Sequence, residues 1–463
     1  MKGFLIAGTA SGVGKTTVTL ALIAALRRQG VVVQPFKGGP DFLDTGHLTR
    51  ISGRNARNLD TWMLSAEANR DVVRQASVGA EFLLVEGMMG LFDGKDGATE
   101  QGSSAEIAKL LNLPVVLVLD AAKTARSIAA VVLGFERFDP ELPLAGVILN
   151  RVASERHFHM LKAAITSACK TPLMGWLPRE PEITIPERHL GLQTAEESGS
   201  GEALSKLVET LGTLAESNLD LIRLTELECG LHLAHQAVRP RAVPREPVRI
   251  GIAHDQAFSF HYQDNLELLK QQGATLVPFS PIHDASLPLD LDALYLAGGY
   301  PELYARQIGG NNAMLSAIRK FVASRRPVYA ECGGMIFLSR QLTMRDGTTS
   351  SMAGVLPFDI EMTGRLVDFG YVEVELKTDC LLGKAGTILR GHSFHYSRIS
   401  NVPEVATDYR VHYSLSGRIE DEGYRVDNVL ASYIHVHFRT HPAIPRSFVQ
   451  AAIASRTARL VHA

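Results

Sequence analysis

The sequence predicts a two-domain α/β protein whose first domain is a doubly wound parallel sheet. Three observations carry that prediction. Through the first half, short and almost continuously apolar runs alternate with stretches of helical periodicity, as strands buried on both faces and their covering helices require. At 235–247 the pattern breaks into a segment rich in proline and arginine, a composition that reads as an exposed linker. Beyond it a fresh alternation of strand-like and helix-like segments begins, and 463 residues exceed what a single core organises.

In order, Gly3–Ala7 reads as the first strand and Lys15–Gln29 as a helix. Val31–Phe36, Phe82–Val85, Val115–Leu119 and Gly146–Leu149 read as further strands. Ligands are then expected at the carboxyl ends of these strands. After the linker, Val248–Ala253 reads as a strand, Asn265–Gln272 as a helix and Leu294–Leu296 as a strand. The predicted division is 1–234, linker 235–247, second domain 248–445, and a C-terminal helix 446–463.

Composition narrows the function. A hydrophobic share of 46%, a charged share of 21% and a net charge of −2 are those of an ordinary globular enzyme. Nothing global calls for nucleic acid or an anionic membrane. No apolar run reaches the ~18 residues of a membrane span, and residues 1–6 lack a signal-peptide layout. Cys169, Cys229, Cys332 and Cys380 are scattered without a C-x-x-C pair, which favours a reducing compartment, the cytoplasm.

Gly8-Thr9-Ala10-Ser11-Gly12-Val13-Gly14-Lys15-Thr16-Thr17, between a strand and a helix, reads as a phosphate-binding loop. Successive backbone N–H groups there point at phosphate oxygens, aided by the helix N-terminus. Gly12 and Gly14 allow the tight path, Lys15 reaches the β- and γ-phosphates, the Thr16 hydroxyl sits on Mg²⁺, and Thr17 joins the nucleotide-binding set. The first glycine position of G-x-x-x-x-G-K-S/T holds Thr9 instead, with Gly8 just before it. Glu86 follows an apolar strand, and Asp41 and Asp44 follow another, so their carboxylates fall at the ligand end of the sheet, where hard Mg²⁺ finds oxygen ligands. Asp93 lies in a glycine-rich loop. Each aspartate also has a plain reading as a turn cap. Lys37 is placed to neutralise phosphate charge, and Asn150, after a strand, to meet an adenine edge.

The second half carries a thiol. Cys332 lies between the strand-like Pro327–Ala330 and Gly333-Gly334 with a helix beyond, the layout of a nucleophile elbow. A helix N-terminus and a nearby imidazole are expected to lower its pKa. His435 and His437 compete as base and would share one face of a strand. Gly298 and Gly299 follow another strand, and their backbone N–H groups suit an oxyanion hole.

Together these segments resemble the cobyrinate a,c-diamide synthase family across nearly the whole chain. Besides the phosphate loop, the likeness runs through Lys37–Asp44, Asn58-Leu59-Asp60, Val85–Gly94, Glu331–Gly334, Gly391-His392-Ser393-Phe394-His395-Tyr396-Ser397 and Ser432–His435. The loop form itself is similar to that of dethiobiotin synthetase. The resemblance implies a P-loop NTPase-type ATP domain joined to a class I glutamine amidotransferase-like domain. It implies Cys332 as nucleophile and His435 as its base, with Asp41, Asp44, Glu86 and Asp93 around Mg²⁺, nucleotide and substrate. It further implies glutamine, ATP and a corrin carboxylate as small-molecule partners, and a substrate role for His392 and His395. Two departures stand out: His437 occupies the place where many amidotransferases carry a glutamate, and Ser393 stands where glutamate is commoner.

Hydrogenobyrinate or Ni-sirohydrochlorin remain alternative acceptors. A reading of another class is a regulatory or partition-type ATPase carrying an inert amidotransferase-like module. Oligomeric state is left open, and a homodimer is compatible with everything above.

Overall fold

A computed structural model describes residues 1–142, 144–179, 187–188, 191–192, 201–230, 247–401 and 404–462. The chain divides into two units, Met1–Gln236 and Ala237–Ala463. The expected linker at 235–247 lies, but for Pro247, outside the described residues.

The first unit is built on strands β1 (Lys2–Gly8), β2 (Val33–Gly38), β3 (Arg57–Leu59), β4 (Phe82–Glu86), β5 (Val115–Asp120), β6 (Leu144–Val152) and β7 (Leu173–Pro178). They pair in the order β3-β2-β4-β1-β5-β6-β7, every neighbour parallel. A short hairpin of β8 (Glu187–Arg188) and β9 (Gly191–Leu192) follows. The central strands are mostly apolar because helices cover both faces, with their polar residues near the ends. Helix α1 (Lys15–Arg28) is correspondingly buried at every position from Val18 to Leu26. It shares one core with Phe4, Ile6, Leu84, Val116, Val118 and Ile148. Parallel pairing brings the ends of β1, β2 and β4 to one edge, with Lys37 of β2 opposite Glu86 of β4.

The second unit holds a ten-stranded sheet, β11-β10-β12-β13-β22-β21-β20-β17-β18-β23. Its strands are β10 (Val248–Ala253), β11 (Ala274–Phe279), β12 (Ala293–Leu296), β13 (Val328–Glu331), β17 (Asp368–Leu376), β18 (Ile388–His395), β20 (Ala406–Tyr413), β21 (Ile419–Val426), β22 (Val429–Ser432) and β23 (His435–Val436). From β11 to β22 the pairing is parallel, and from β22 to β23 antiparallel. A small sheet of β14 (Gln341–Thr343), β15 (Thr349–Ser351), β16 (Asp359–Met362) and β19 (Ser397–Ser400) accompanies it. Side chains alternate across a strand, so Leu294, Leu296, Val328 and Ala330 join one core while Ala293, Tyr295 and Tyr329 join the other. The terminal helix spans Ala443–His462, starting three residues before the expected 446, and buries Ile444, Phe448, Val449 and Ala452 in the second of these cores.

Candidate active sites

In the first unit the phosphate loop turns on glycines. Gly12 and Gly14 have φ of 76° and 94°, the left-handed region open to glycine at no steric cost. A Cβ on Gly14 would lie 1.9 Å from the Asn150 side-chain nitrogen. That nitrogen donates to the Val13 carbonyl at 3.0 Å. Asn150 therefore braces the loop from β6. Thr17 lies half-buried in the first turn of α1.

Beneath the loop sits a buried charge cluster. The Lys37 ammonium lies 2.5 Å from Asp44 and 2.8 Å from Glu86. The Thr16 hydroxyl donates to Glu86 at 2.7 Å and reaches Asp44 at 3.3 Å. Burial opposes the charge of Lys37, yet Asp44 and Glu86 hold its pKa above the ordinary value. Burial pushes Asp41 up to about 7, with Asp44 adding to the rise. Burial would also raise Asp44, but Lys37 outweighs it and keeps Asp44 a carboxylate. Glu86 is raised by burial against the pull of Lys37. Lys15 is lowered to about 8, by burial first and by Lys37 second.

These residues fit a divalent cation. The set is all oxygen, a hydroxyl and two carboxylates, which suits Mg²⁺ with waters completing its shell. The second oxygen of Glu86, Oε2, is buried without a hydrogen-bond partner among the described residues. A buried acceptor left that way costs about 1–3 kcal/mol, so its retention suits an acceptor kept for a ligand. Asp93 takes up the turn reading: its carboxylate accepts from the Gly90 N–H at 2.8 Å. Asn58, from β3, ties down the neighbouring loop through the carbonyls of Gly39 and Asp41 at 2.8 and 2.9 Å.

In the second unit, Cys332 follows β13 and caps the helix Gly333–Leu338 with φ 45° and ψ −101°. Such a backbone costs about 1–3 kcal/mol and survives only where its surroundings impose it. Gly334 is needed because a Cβ there would lie 2.1 Å from the Leu296 carbonyl oxygen. A Cβ on Gly333 would lie 2.9 Å from the Gly299 nitrogen. The backbone N–H groups of Gly299 and of the residue after the thiol are thus neighbours, the pairing an oxyanion hole uses. Gly298 also leaves space. Its Cβ would fall 2.3 Å from Cε1 of His435, so the missing side chain leaves room for the imidazole.

His435 and His437 do not lie on one strand, because β23 ends at Val436 and His437 caps the short helix Phe438–Thr440. His392 of β18 pairs with His435 in register and stacks on it, centroids 4.9 Å apart. His395 stacks on Tyr433 at 3.8 Å. Both therefore stand beside the thiol site's histidine and tyrosine rather than in the phosphate-loop unit. Sequence reasoning missed Glu331, Glu302 and Tyr262. Parity along β13 is the signal for the first, since Glu331 shares a face with Tyr329.

The thiol departs from expectation. Burial, with Glu302 next in importance, raises the Cys332 pKa instead of lowering it. At neutral pH its thiolate fraction is then below that of a free cysteine, whose pKa is about 8.5. If Cys332 is a nucleophile, its attack is then one coupled to proton removal by a base, not launched from a standing thiolate. Iodoacetamide alkylation of Cys332, followed by peptide mass spectrometry, is expected to keep rising with pH beyond 9. A plateau below pH 8 would contradict this environment.

Comparison with known proteins accords with the geometry. A family model described as a CobQ/CobB/MinD/ParA nucleotide binding domain matches residues 4–192. One described as a CobB/CobQ-like glutamine amidotransferase domain matches residues 249–443. Together the two define an ATP-using, glutamine-hydrolysing ligase that forms amides. The cobyrinate a,c-diamide synthase of Syntrophotalea carbinolica is 46% identical over 449 residues, 96% of this chain and 97% of its own. Those of Dehalococcoides mccartyi strain CBDB1 and Salmonella typhimurium are each 40% identical, over 96% and 97% of this chain and 97% and 98% of theirs. The chain belongs to the cobyrinate a,c-diamide synthase family.

Proposed function

We propose that this protein amidates the a and c side-chain carboxylates of cobyrinate in cobalamin biosynthesis, taking nitrogen from glutamine and consuming one ATP per amide. The acceptor rests on one observation, the 46% identity to a cobyrinate a,c-diamide synthase across 96% of the chain. The residue roles rest on the geometry of the two sites. The setting we propose is the cytoplasm. Free cysteines support it, and no helix among the described residues is long and apolar enough to cross a membrane.

A carboxylate resists ammonia because its charge is delocalised and oxide leaves poorly. Its oxygen attacks the γ-phosphorus of ATP, the bond to ADP breaks, and an acyl phosphate results. Lys15 and the loop N–H groups hold the phosphates, and Lys37, between Asp44 and Glu86, keeps a positive charge beneath them. Thr16, Asp44 and Glu86 would hold Mg²⁺, which supplies charge neutralisation to the phosphates. Asp41, near neutral titration, is assigned to the acceptor side of this cluster.

In the other unit the Cys332 sulfur bonds to the glutamine amide carbon as His435 takes the thiol proton. The carbonyl electrons pass to an oxygen held by the Gly299 and Gly333 N–H groups. His435 returns the proton to the nitrogen, the C–N bond breaks and ammonia leaves. Water then cleaves the thioester to glutamate. Ammonia attacks the acyl carbon, phosphate departs, and a primary amide remains.

Incubation of cobyrinate, hydrogenobyrinate and Ni-sirohydrochlorin with ATP, Mg²⁺ and glutamine tests the acceptor by mass spectrometry. Successive gain of one and two amides on cobyrinate is expected. Amidation of another tetrapyrrole with cobyrinate untouched would reassign the substrate. An intact phosphate loop with no glutamate release at all would favour a regulatory ATPase instead.

A further inference from the structure

The glutamate that many class I amidotransferases carry two residues past the base is His437 here, so the carboxylate that would orient His435 must come from elsewhere. We infer that Glu331, the residue immediately before the nucleophile, takes this place, holding the His435 ring so that Nε2 can serve the thiol. The inference rests on the proposed glutaminase reading of Cys332 and His435.

Glu331 closes β13, and strand parity turns its side chain to the face of Tyr329 and Tyr295, opposite the core that Ala330 joins. There it is 1% exposed, as is fitting for a group held by donors. The Tyr329 hydroxyl donates to Oε1 at 2.6 Å and the Tyr295 hydroxyl to Oε2 at 3.1 Å. The Val436 N–H, from the residue after His435, donates to Oε1 at 3.1 Å. Oε2 lies 3.7 Å from Nδ1 of His435. That is longer than a hydrogen bond, but such contacts often lengthen in the ligand-free state and tighten with substrate.

The imidazole is fixed on its other sides too. Cε1 faces Gly298, where any Cβ would lie 2.3 Å away. One ring face is covered by His392, stacked at an interplanar angle of 16°, and His392 Nδ1 is held 2.9 Å from the Tyr262 hydroxyl. With Nδ1 turned to Glu331, Nε2 is the remaining polar edge. A carboxylate beside Nδ1–H selects the tautomer whose Nε2 accepts a proton and stabilises the imidazolium that forms. The other buried acids near the thiol are placed differently. Glu422 is committed to the Ser432 hydroxyl and the Tyr433 N–H, the latter at 2.7 Å, and Glu302 belongs to the turn Pro301–Tyr304. Glu331 is thus a positioning residue, acting through His435.

The test is a double-mutant cycle in the full-length protein, reading glutamate release. Glu331→Gln keeps volume and one acceptor but presents an amide to Nδ1. It is expected to lower kcat about 10⁴-fold, the size of the loss at triad orienters, with KM for glutamine within about threefold. Glu331→Asp should recover part of the rate. In a His435→Ala background, Glu331→Gln should add less than about threefold, because the group it acts through is gone. If Glu331→Gln multiplied the His435→Ala defect in full, or kept wild-type kcat, the assignment would be overturned. Should Glu331→Gln fail to fold, Glu331→Asp carries the same cycle with the same criteria. A wild-type protein releasing no glutamate would instead defeat the underlying glutaminase reading, which separates the two failures.

Discussion

Replacing Cys332 by alanine is expected to abolish glutamine-driven amidation, by on the order of 10⁴-fold or more, while synthesis from free ammonia persists. In the proposed mechanism the sulfur bonds to the glutamine carbon, and alanine offers no nucleophile. Little else changes. The strained backbone at φ 45° is imposed by its setting, with the Cys332 N–H donating to Ser432 at 2.7 Å and its carbonyl accepting from Ile336 at 2.9 Å. Alanine keeps both bonds. The ATP site lies in the other unit, where Lys15, Lys37, Asp44 and Glu86 are untouched, so acyl phosphate still forms and ammonia from solution can meet it. The ammonia-driven rate should rise with pH as ammonium gives way to ammonia. Assays with each nitrogen source, alongside melting curves, decide the matter. Loss of both activities at an unchanged melting temperature would show that the thiol unit does more than release ammonia.

Much of this arrangement is legible from the chain because parallel strands advertise themselves. Phe82–Glu86 and Val115–Asp120 are buried throughout or nearly so, and continuous apolar runs of that kind have few other uses in a soluble fold. The antiparallel half of the second sheet was not readable this way. β17 and β20 mix buried with half-buried or exposed positions, β21 is buried only at Glu422 and Gly423, and several carry charges that resemble ordinary surface. The charge cluster was visible as acids at strand ends, but not that Lys37 would sit between two of them, since register is a long-range property. The thiol's raised pKa escaped for a related reason: burial and the approach of Glu302 depend on tertiary packing. That β18 pairs with β23 and sets His392 against His435 is likewise not written in the local sequence. The chain shows Asn150 as a polar residue at a strand end, but not that its amide would meet the Val13 carbonyl. Each of these features concerns a partner distant in sequence, which local pattern does not encode.

Replacing Glu86 by glutamine is expected to depress amidation from glutamine and from ammonia alike, by about 10²-fold or more, the scale of losing one preorganised charge-stabilising group. The side chain is fully buried, 0% exposed, and glutamine matches its volume, so packing is kept. What changes is charge. Lys37 would retain Asp44 alone at 2.5 Å, and the Thr16 hydroxyl would face a neutral oxygen where a carboxylate stood at 2.7 Å. Any Mg²⁺ held there would lose one anionic ligand, and Oε2, now without a partner, would become either an amide nitrogen or a weaker acceptor. Because both nitrogen routes pass through the same acyl phosphate, they should fall together, in contrast to the split expected for Cys332→Ala. A magnesium titration adds a second readout: the variant should need more Mg²⁺ for half-maximal rate. Alkylation of Cys332 at the wild-type rate would certify that the second unit is intact. Wild-type synthesis with both donors and an unshifted magnesium curve would remove Glu86 from the phosphate site and leave it a structural partner of Lys37.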